Sequence, residues 1–255
     1  MGVFQIKTPF KLLLIAFVII VGVVTTMAII KSSVTVNLPE GFTVTAHSGS
    51  EGTEDNSMEF LQKCVEIDVE VLEIDVTFRE DGTPVLLHKE IAENNEGVLF
   101  EEAIKYISEN SDTIRINLDL KSVANLPAVA ETVDKYGMRG RCFYTGVGEA
   151  FVETVRKDGE LPYYLNLELN RIKKHSNSEL EKALEKVKSA GAIGINCNHK
   201  YASKEMVTLF HENRLLVSYW TANSVRVMKK LIALSPDNIT TRRPTELTEL
   251  INIYK

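Results

Sequence analysis

From residue 43 onward, short β-branched runs alternate with longer stretches whose apolar residues recur at i, i+3 and i+4. The runs are Thr43–Ser48, Val71–Phe78, Ile114–Lys121, Arg141–Thr145, Tyr163–Leu169, Ala192–Cys197, Leu215–Trp220 and Asn238–Thr241. Their composition and length predict strands. The periodic stretches Met58–Val65, Leu99–Ser108, Leu126–Tyr136, Glu179–Ser189, Lys204–Asn213, Val225–Ala233 and Thr245–Ile253 predict helices. Gly137, Gly159 and Gly191 fall where helices should end. Strand–helix alternation repeated around eight times predicts an α/β fold of the (β/α)₈ TIM-barrel type. A doubly wound open sheet is the structural alternative, but no Gly-rich phosphate loop follows the first strand. After the second strand, Asp81-Gly82 and the run Thr83–His88 predict a hairpin excursion that returns His88 toward the barrel mouth.

The first 31 residues follow a different pattern. Leu12–Ile30 is apolar or weakly polar and carries no charge, close to the ~20 residues needed to cross a bilayer core. Lys7 and Lys11 precede it, Lys31 follows it, and the first acid is Glu40. The positive-inside bias then predicts a single-pass cell-membrane protein. In that reading residues 1–11 form a cytoplasmic tail, 12–30 a single N-terminal transmembrane helix, 31–41 a linker, and 42–255 an extracellular barrel. With the three tail lysines set aside, 26 basic residues face 35 acidic ones, a charge of −9. Such a body repels a phosphate backbone, which argues against nucleic-acid binding. Cys64, Cys142 and Cys197 show no metal-binding spacing and read as small buried apolar residues.

In a barrel of this type the working groups stand at the C-terminal strand ends. His47 closes the first strand, and Glu73 and Asp75 lie two apart on the second, on one face. Asp119 and Lys121 are likewise two apart on the third, and His88 ends the excursion. Taken singly, each of these is an ordinary strand-end charge or imidazole. Their convergence is different, because three carboxylates with few cations raise one another's pKa. A divalent cation removes that penalty, and an all-oxygen donor set suits Mg²⁺ or Ca²⁺ rather than zinc. Two histidines beside it supply a general acid and base near neutrality, and a lysine holds an anionic oxygen. These parts describe metal-assisted phosphodiester cleavage. Glu168, in Asn166-Leu167-Glu168-Leu169, echoes Asn117-Leu118-Asp119-Leu120 and offers a further carboxylate at the mouth.

Thr45-Ala46-His47-Ser48-Gly49, Glu54-Asp55-Asn56, Leu72–Val76 and Asp81–His88 together resemble the glycerophosphodiester phosphodiesterase family. Asn117–Lys121, Tyr219-Trp220-Thr221-Ala222-Asn223 and Asn238–Pro244 resemble its third, seventh and closing strands. The resemblance implies a metal-dependent TIM barrel that hydrolyses glycerophosphodiesters, or related phospholipid headgroups, to an alcohol and glycerol 3-phosphate. It implies that His47 and His88 are the acid/base pair, that Glu73, Asp75 and Asp119 hold the cation, and that Lys121 contacts phosphate. Trp220 would wall the pocket, and attack would begin from the substrate's own glycerol hydroxyl through a cyclic phosphate.

Several positions depart from the family. Ser48 replaces an arginine, removing a bidentate phosphate donor. Lys89 replaces an aspartate, Asp119 a glutamate, and the last strand's aspartate is lost around Thr241-Arg242. The segment between His88 and the next helix is also short. These departures motivate two alternatives: a catalytically impaired, membrane-anchored binding module, and a phospholipase D- or lyase-like barrel acting on intact lipids. No protein partner is inferred.

Overall fold

The computed structural model describes residues 36–169 and 176–254. Its strands are β1 (Thr43–Ala46), β2 (Val71–Arg79), β3 (Pro84–Leu86), β4 (Ile91–Ala92), β5 (Val98–Leu99) and β6 (Arg115–Leu120), followed by β7 (Cys142–Val147), β8 (Tyr163–Asn166), β9 (Gly194–Asn198), β10 (Leu216–Trp220) and β11 (Asn238–Thr241). Eight of them pair in parallel in the order β2-β6-β7-β8-β9-β10-β11-β1, and β1 returns to β2 to close a barrel. The predicted (β/α)₈ architecture is therefore present. β2 is buried over eight of its nine residues, as expected of a parallel strand covered on both faces.

The outer layer comprises α1 (Met58–Glu66), α2 (Phe100–Asn110), α3 (Leu126–Lys135), α4 (Asn177–Ala190), α5 (Lys204–Glu212), α6 (Val225–Leu234) and α7 (Pro244–Tyr254). Serines start three of them: Ser57, Ser203 and Ser224 accept from the amides of Phe60, Met206 and Val227, satisfying donors that have no partner within the helix. Each helix turns an apolar stripe inward, such as Phe60, Leu61 and Cys64 on α1. The β7–β8 connection differs from expectation. It contains Val152–Thr154 running into a π-helical turn, Val155–Gly159, too short to show as an amphipathic period.

The excursion after β2 folds as the turn chemistry predicts. β3 runs antiparallel to β2, with Val76 opposite Leu86 and Phe78 opposite Pro84. Two-residue strands then tie its return: β4 lies parallel to β2 and β5 antiparallel to β3. At the N-terminal end of the barrel Val71, Phe143 and Tyr164 pack together with Ile193 and Leu216. Above this plug the interior turns polar. Asn238 Oδ1 accepts from Thr43 and Thr45 at 2.9 and 2.7 Å, and Asn196 Nδ2 donates to Asn166 Oδ1 at 3.0 Å.

Two expectations are corrected or bounded here. The span expected at Leu12–Ile30 lies outside the described residues. Among the described residues no helix is long and apolar enough to cross a membrane; the longest, α4, has 14 residues, short of the ~20 a bilayer core needs. The cell-membrane placement is overturned on that finding. The three cysteines are free and buried, and burial pushes the thiols of Cys64 and Cys142 up to about 12, so neither supplies a thiolate nucleophile.

Candidate active site

Strand register assembles the acidic cluster. In the β2–β6 pair Glu73 stands beside Asn117 and Asp75 beside Asp119, and the side-chain period of two sends all four to the barrel interior. Glu73, Asp75 and Asp119 each offer an oxygen within 4.8 Å of the others. They border a cavity of about 420 Å³ that His47, His88, Lys121 and Trp220 also line. All seven residues singled out from the sequence thus meet at one opening. Glu168, in contrast, is exposed beyond the end of β8 and does not line the cavity.

A loop before α1 locks the two carboxylates of β2. Asn56 Nδ2 donates to Asp75 Oδ2 at 2.7 Å, while Asn56 Oδ1 accepts from the Asp75 amide at 2.9 Å. The Asn56 amide in turn donates to Ser48 Oγ at 2.7 Å, and the Ser48 amide donates to Glu73 Oε2 at 2.9 Å. Ser48 is 0% exposed. It is a buried strut joining the supports of Glu73 and Asp75, not a surface position from which an arginine has been trimmed.

The histidines are held by one ring nitrogen each. His47 Nδ1 lies 3.0 Å from the Ser48 carbonyl and 3.6 Å from Glu73 Oε2. His88 Nδ1 lies 3.1 Å from Asp75 Oδ2, on a largely exposed ring. Lys121 Nζ sits 2.8 Å from Asp75 Oδ1 and in direct contact with Asp119 Oδ2. The Thr145 hydroxyl is 2.7 Å from both Asn117 Oδ1 and Asp119 Oδ1, and its single proton serves one at a time.

Glu73 and Asp75 are shifted in opposite directions. Burial, then the charges of Asp75 and Asp119, pushes Glu73 well above its ordinary range. Asp75 is also pushed up by burial, but Lys121, Asn56 and His88 outweigh that and leave it below the usual carboxylate value. Burial opposes the charge on Lys121, yet Asp119 and Asp75 raise its pKa overall. His47 is lowered, first by burial and then by Arg242, against a raising bond to Ser48.

The residues fit a divalent cation. The donor set is all oxygen, as hard cations require. Asp75 and Asp119 lean on a single ammonium, Lys121, and Glu73 bears a charge its surroundings resist. Both are relieved by a cation among the three carboxylates. Trp220 lines the same cavity, with its indole Nε1 buried and without a hydrogen-bond partner.

Sequence reasoning assigned no role to Asn56, Asn117, Thr145, Asn166 or Asn196. Asn117 could have been found, since it lies two before Asp119 and must share its face. Asn56 stood in the Glu54-Asp55-Asn56 motif, but its bond to Asp75 could not be read there: it acts from a loop at φ 56° across 19 residues of chain.

No protein-family model matches the sequence, and no curated protein matches it. Solved structures do. A phosphodiesterase from Oleispira antarctica, in complex with the product sn-glycerol-3-phosphate, superposes with a TM-score of 0.68 at 18% identity, over 84% of this chain and 97% of that one. The likeness is one of fold. A glycerophosphodiester phosphodiesterase from Parabacteroides distasonis gives 0.66 at 19% over 82% and 96%, and one from Thermotoga maritima gives 0.63 at 19% over 83% and 99%.

Proposed function

We propose that this chain hydrolyses glycerophosphodiesters to an alcohol and glycerol 3-phosphate, with Glu73, Asp75 and Asp119 holding Mg²⁺ or Ca²⁺. The observation that carries the reading is the pair of imidazoles, each tied through Nδ1, on the cavity of the three carboxylates and Lys121. The fold shared with glycerophosphodiester phosphodiesterases supports it.

The Ser48 carbonyl favours the Nδ1–H tautomer of His47 and leaves Nε2 with a lone pair. His47 is the general base of the first step, taking the proton of the attacking glycerol hydroxyl; when water opens the cyclic phosphate the roles exchange, His88 taking the water's proton and His47 returning its own to the glycerol oxygen. His88 is the general acid of the first step. Its Nδ1 faces the Asp75 carboxylate, which orients the ring so that Nε2 can deliver a proton to the leaving alcohol. Lys121 has three donors, two of them engaged by Asp75 and Asp119, and directs the third at a phosphoryl oxygen. Trp220 walls the substrate. A bound cation would offset the carboxylate charge and polarise a phosphoryl oxygen.

The test is release of free alcohol and glycerol 3-phosphate by the full chain from glycerophosphocholine, glycerophosphoethanolamine, glycerophosphoglycerol and glycerophosphoinositol. Turnover of at least one, lost in chelator and restored by Mg²⁺ or Ca²⁺, is expected. No release from any of the four at saturating cation refutes the reading.

A further inference from the structure

Ser48 and Arg242 are both departures from the resembling family, and the structure places them side by side. The His47 amide donates to the Thr241 carbonyl at 2.8 Å, so Arg242 follows the residue bonded to that histidine. Its backbone is pinned twice: the amide donates to Asn223 Oδ1 at 2.9 Å, and the carbonyl accepts from Glu51 at 3.0 Å. Its guanidinium makes a two-pronged pair with Asp55, Nη1 to Oδ1 at 2.6 Å and Nη2 to Oδ2 at 2.8 Å. Gly49 makes room for this pair. A Cβ there would stand 1.9 Å from Asp55 Oδ1 and 2.8 Å from Arg242 Nη1, and Gly49 already adopts φ +71°. The pair therefore lies flat against the backbone two residues after His47.

We propose that Arg242, held in place by Asp55, is the guanidinium that grips the phosphate at this site. It supplies from the last strand the fork that Ser48 cannot supply from the first. Asp55 occupies two of the five guanidinium N–H donors. The other three have no protein partner among the described residues; the side chain is 37% exposed, outside the residues that line the cavity but within electrostatic reach of His47. A planar fork with three open donors on a pinned backbone is suited to a phosphate oxygen pair. Among the residues that line the cavity, the one lysine, Lys121, already bridges two carboxylates. Arg242 is a substrate-binding residue and Asp55 a positioning residue. The inference rests on the phosphodiesterase reading for its substrate, but phosphate binding can be measured without turnover.

Trp220 is the chain's single tryptophan and lines the cavity, so its fluorescence reports binding of inorganic phosphate at constant Mg²⁺ in the full-length protein. Arg242→Ala should weaken phosphate binding about tenfold and raise KM for a hydrolysed diester by a similar factor, with a smaller change in kcat. Arg242→Lys, which keeps a charge opposite Asp55, should lose less and guards against a folding defect. Arg243→Ala is the control, because Arg243 pairs with Glu246 at the start of α7, and it should leave phosphate affinity unchanged. Phosphate affinity within twofold of wild type in both Arg242 variants overturns the inference, as does an equal loss in Arg243→Ala or no phosphate response in the wild type. If phosphate binds through Arg242 but no glycerophosphodiester is turned over, the phosphodiesterase reading fails and this one stands. If turnover occurs with an unchanged KM in Arg242→Ala, the reverse holds.

Discussion

Replacing Glu73 by Gln should make the cation-free protein more stable while destroying its cation response. Glu73 is buried and has carboxylate oxygens of Asp75 and Asp119 within 4.8 Å. At an effective dielectric of about 20, each such repulsion amounts to roughly 3.5 kcal/mol. Lys121 offsets part of this, and protonation of Glu73 caps what is left. A gain of about 1–3 kcal/mol for Glu73→Gln at pH 7.5 follows. The amide retains an oxygen for the Ser48 N–H that Glu73 now accepts, so the substitution removes charge while preserving the hydrogen bond.

The pH dependence gives the sign. The folded-state pKa of Glu73 is raised above its ordinary 4.5, so above pH 4.5 the folded state retains a proton that the unfolded state has released. Stability from this group therefore falls as pH rises from 4.5 through the folded value, then levels. Glu73→Gln lacks that decline, so the two proteins should match near pH 4.5 and diverge toward neutrality. Urea denaturation in chelator between pH 4.5 and 8 measures the difference. Adding cation at about 100 times its Kd should stabilise the wild type by about 2.7 kcal/mol and Glu73→Gln far less. A Glu73→Gln protein that is less stable than wild type in chelator at pH 7.5, or equally stabilised by cation, refutes the electrostatic account of the cluster.

Three more predictions concern the two histidines and Ser48. His47→Ala and His88→Ala should each lower kcat by ~10²–10⁴-fold and combine far short of additively, since they act in one step. Because burial and then Arg242 hold His47 below 6.5, the free base persists to lower pH, and the acidic limb of kcat/KM assigned to it should lie below pH 6.5; a limb at or above that value contradicts the assignment. Ser48→Arg should destabilise rather than restore a phosphate contact. It forces a large side chain into a fully buried position and leaves the Asn56 amide without its acceptor, a loss of roughly 2–5 kcal/mol read as a fall in Tm. An unchanged Tm with tighter diester binding would show that position 48 is open after all.

The barrel and its acids were readable in the sequence because both depend on local period. Eight β-branched runs with helical stretches between them specify the strands, and E-x-D and D-x-K on buried strands place four charges inside a barrel whose interior must otherwise be filled with side chains. Asp81-Gly82 made the excursion and the return of His88 visible for the same reason, since a turn is written in adjacent residues. The two-residue strands β4 and β5 carry no period at all and appear only through pairing. The supports of the site were hidden for a related cause: Asn56 reaches Asp75 across 19 residues and Arg242 reaches Asp55 across 187, and no pattern along the chain encodes a partner that distant.

Ser48 shows what a position-by-position transfer of roles leaves out. Read alone it subtracts a guanidinium from the phosphate site, and that subtraction motivated the binding-module alternative. The mouth of a barrel is a ring, however, and β11 closes that ring against β1, so a group missing after the first strand can be supplied after the last. Arg242 stands at that junction, paired to a carboxylate on the loop that follows β1. A buried serine that bonds the loop and a guanidinium that lies across it are then two halves of one arrangement. Position 48 carries the strut that locks Glu73 and Asp75, and the positive charge stands on the neighbouring strand end, held by Asp55.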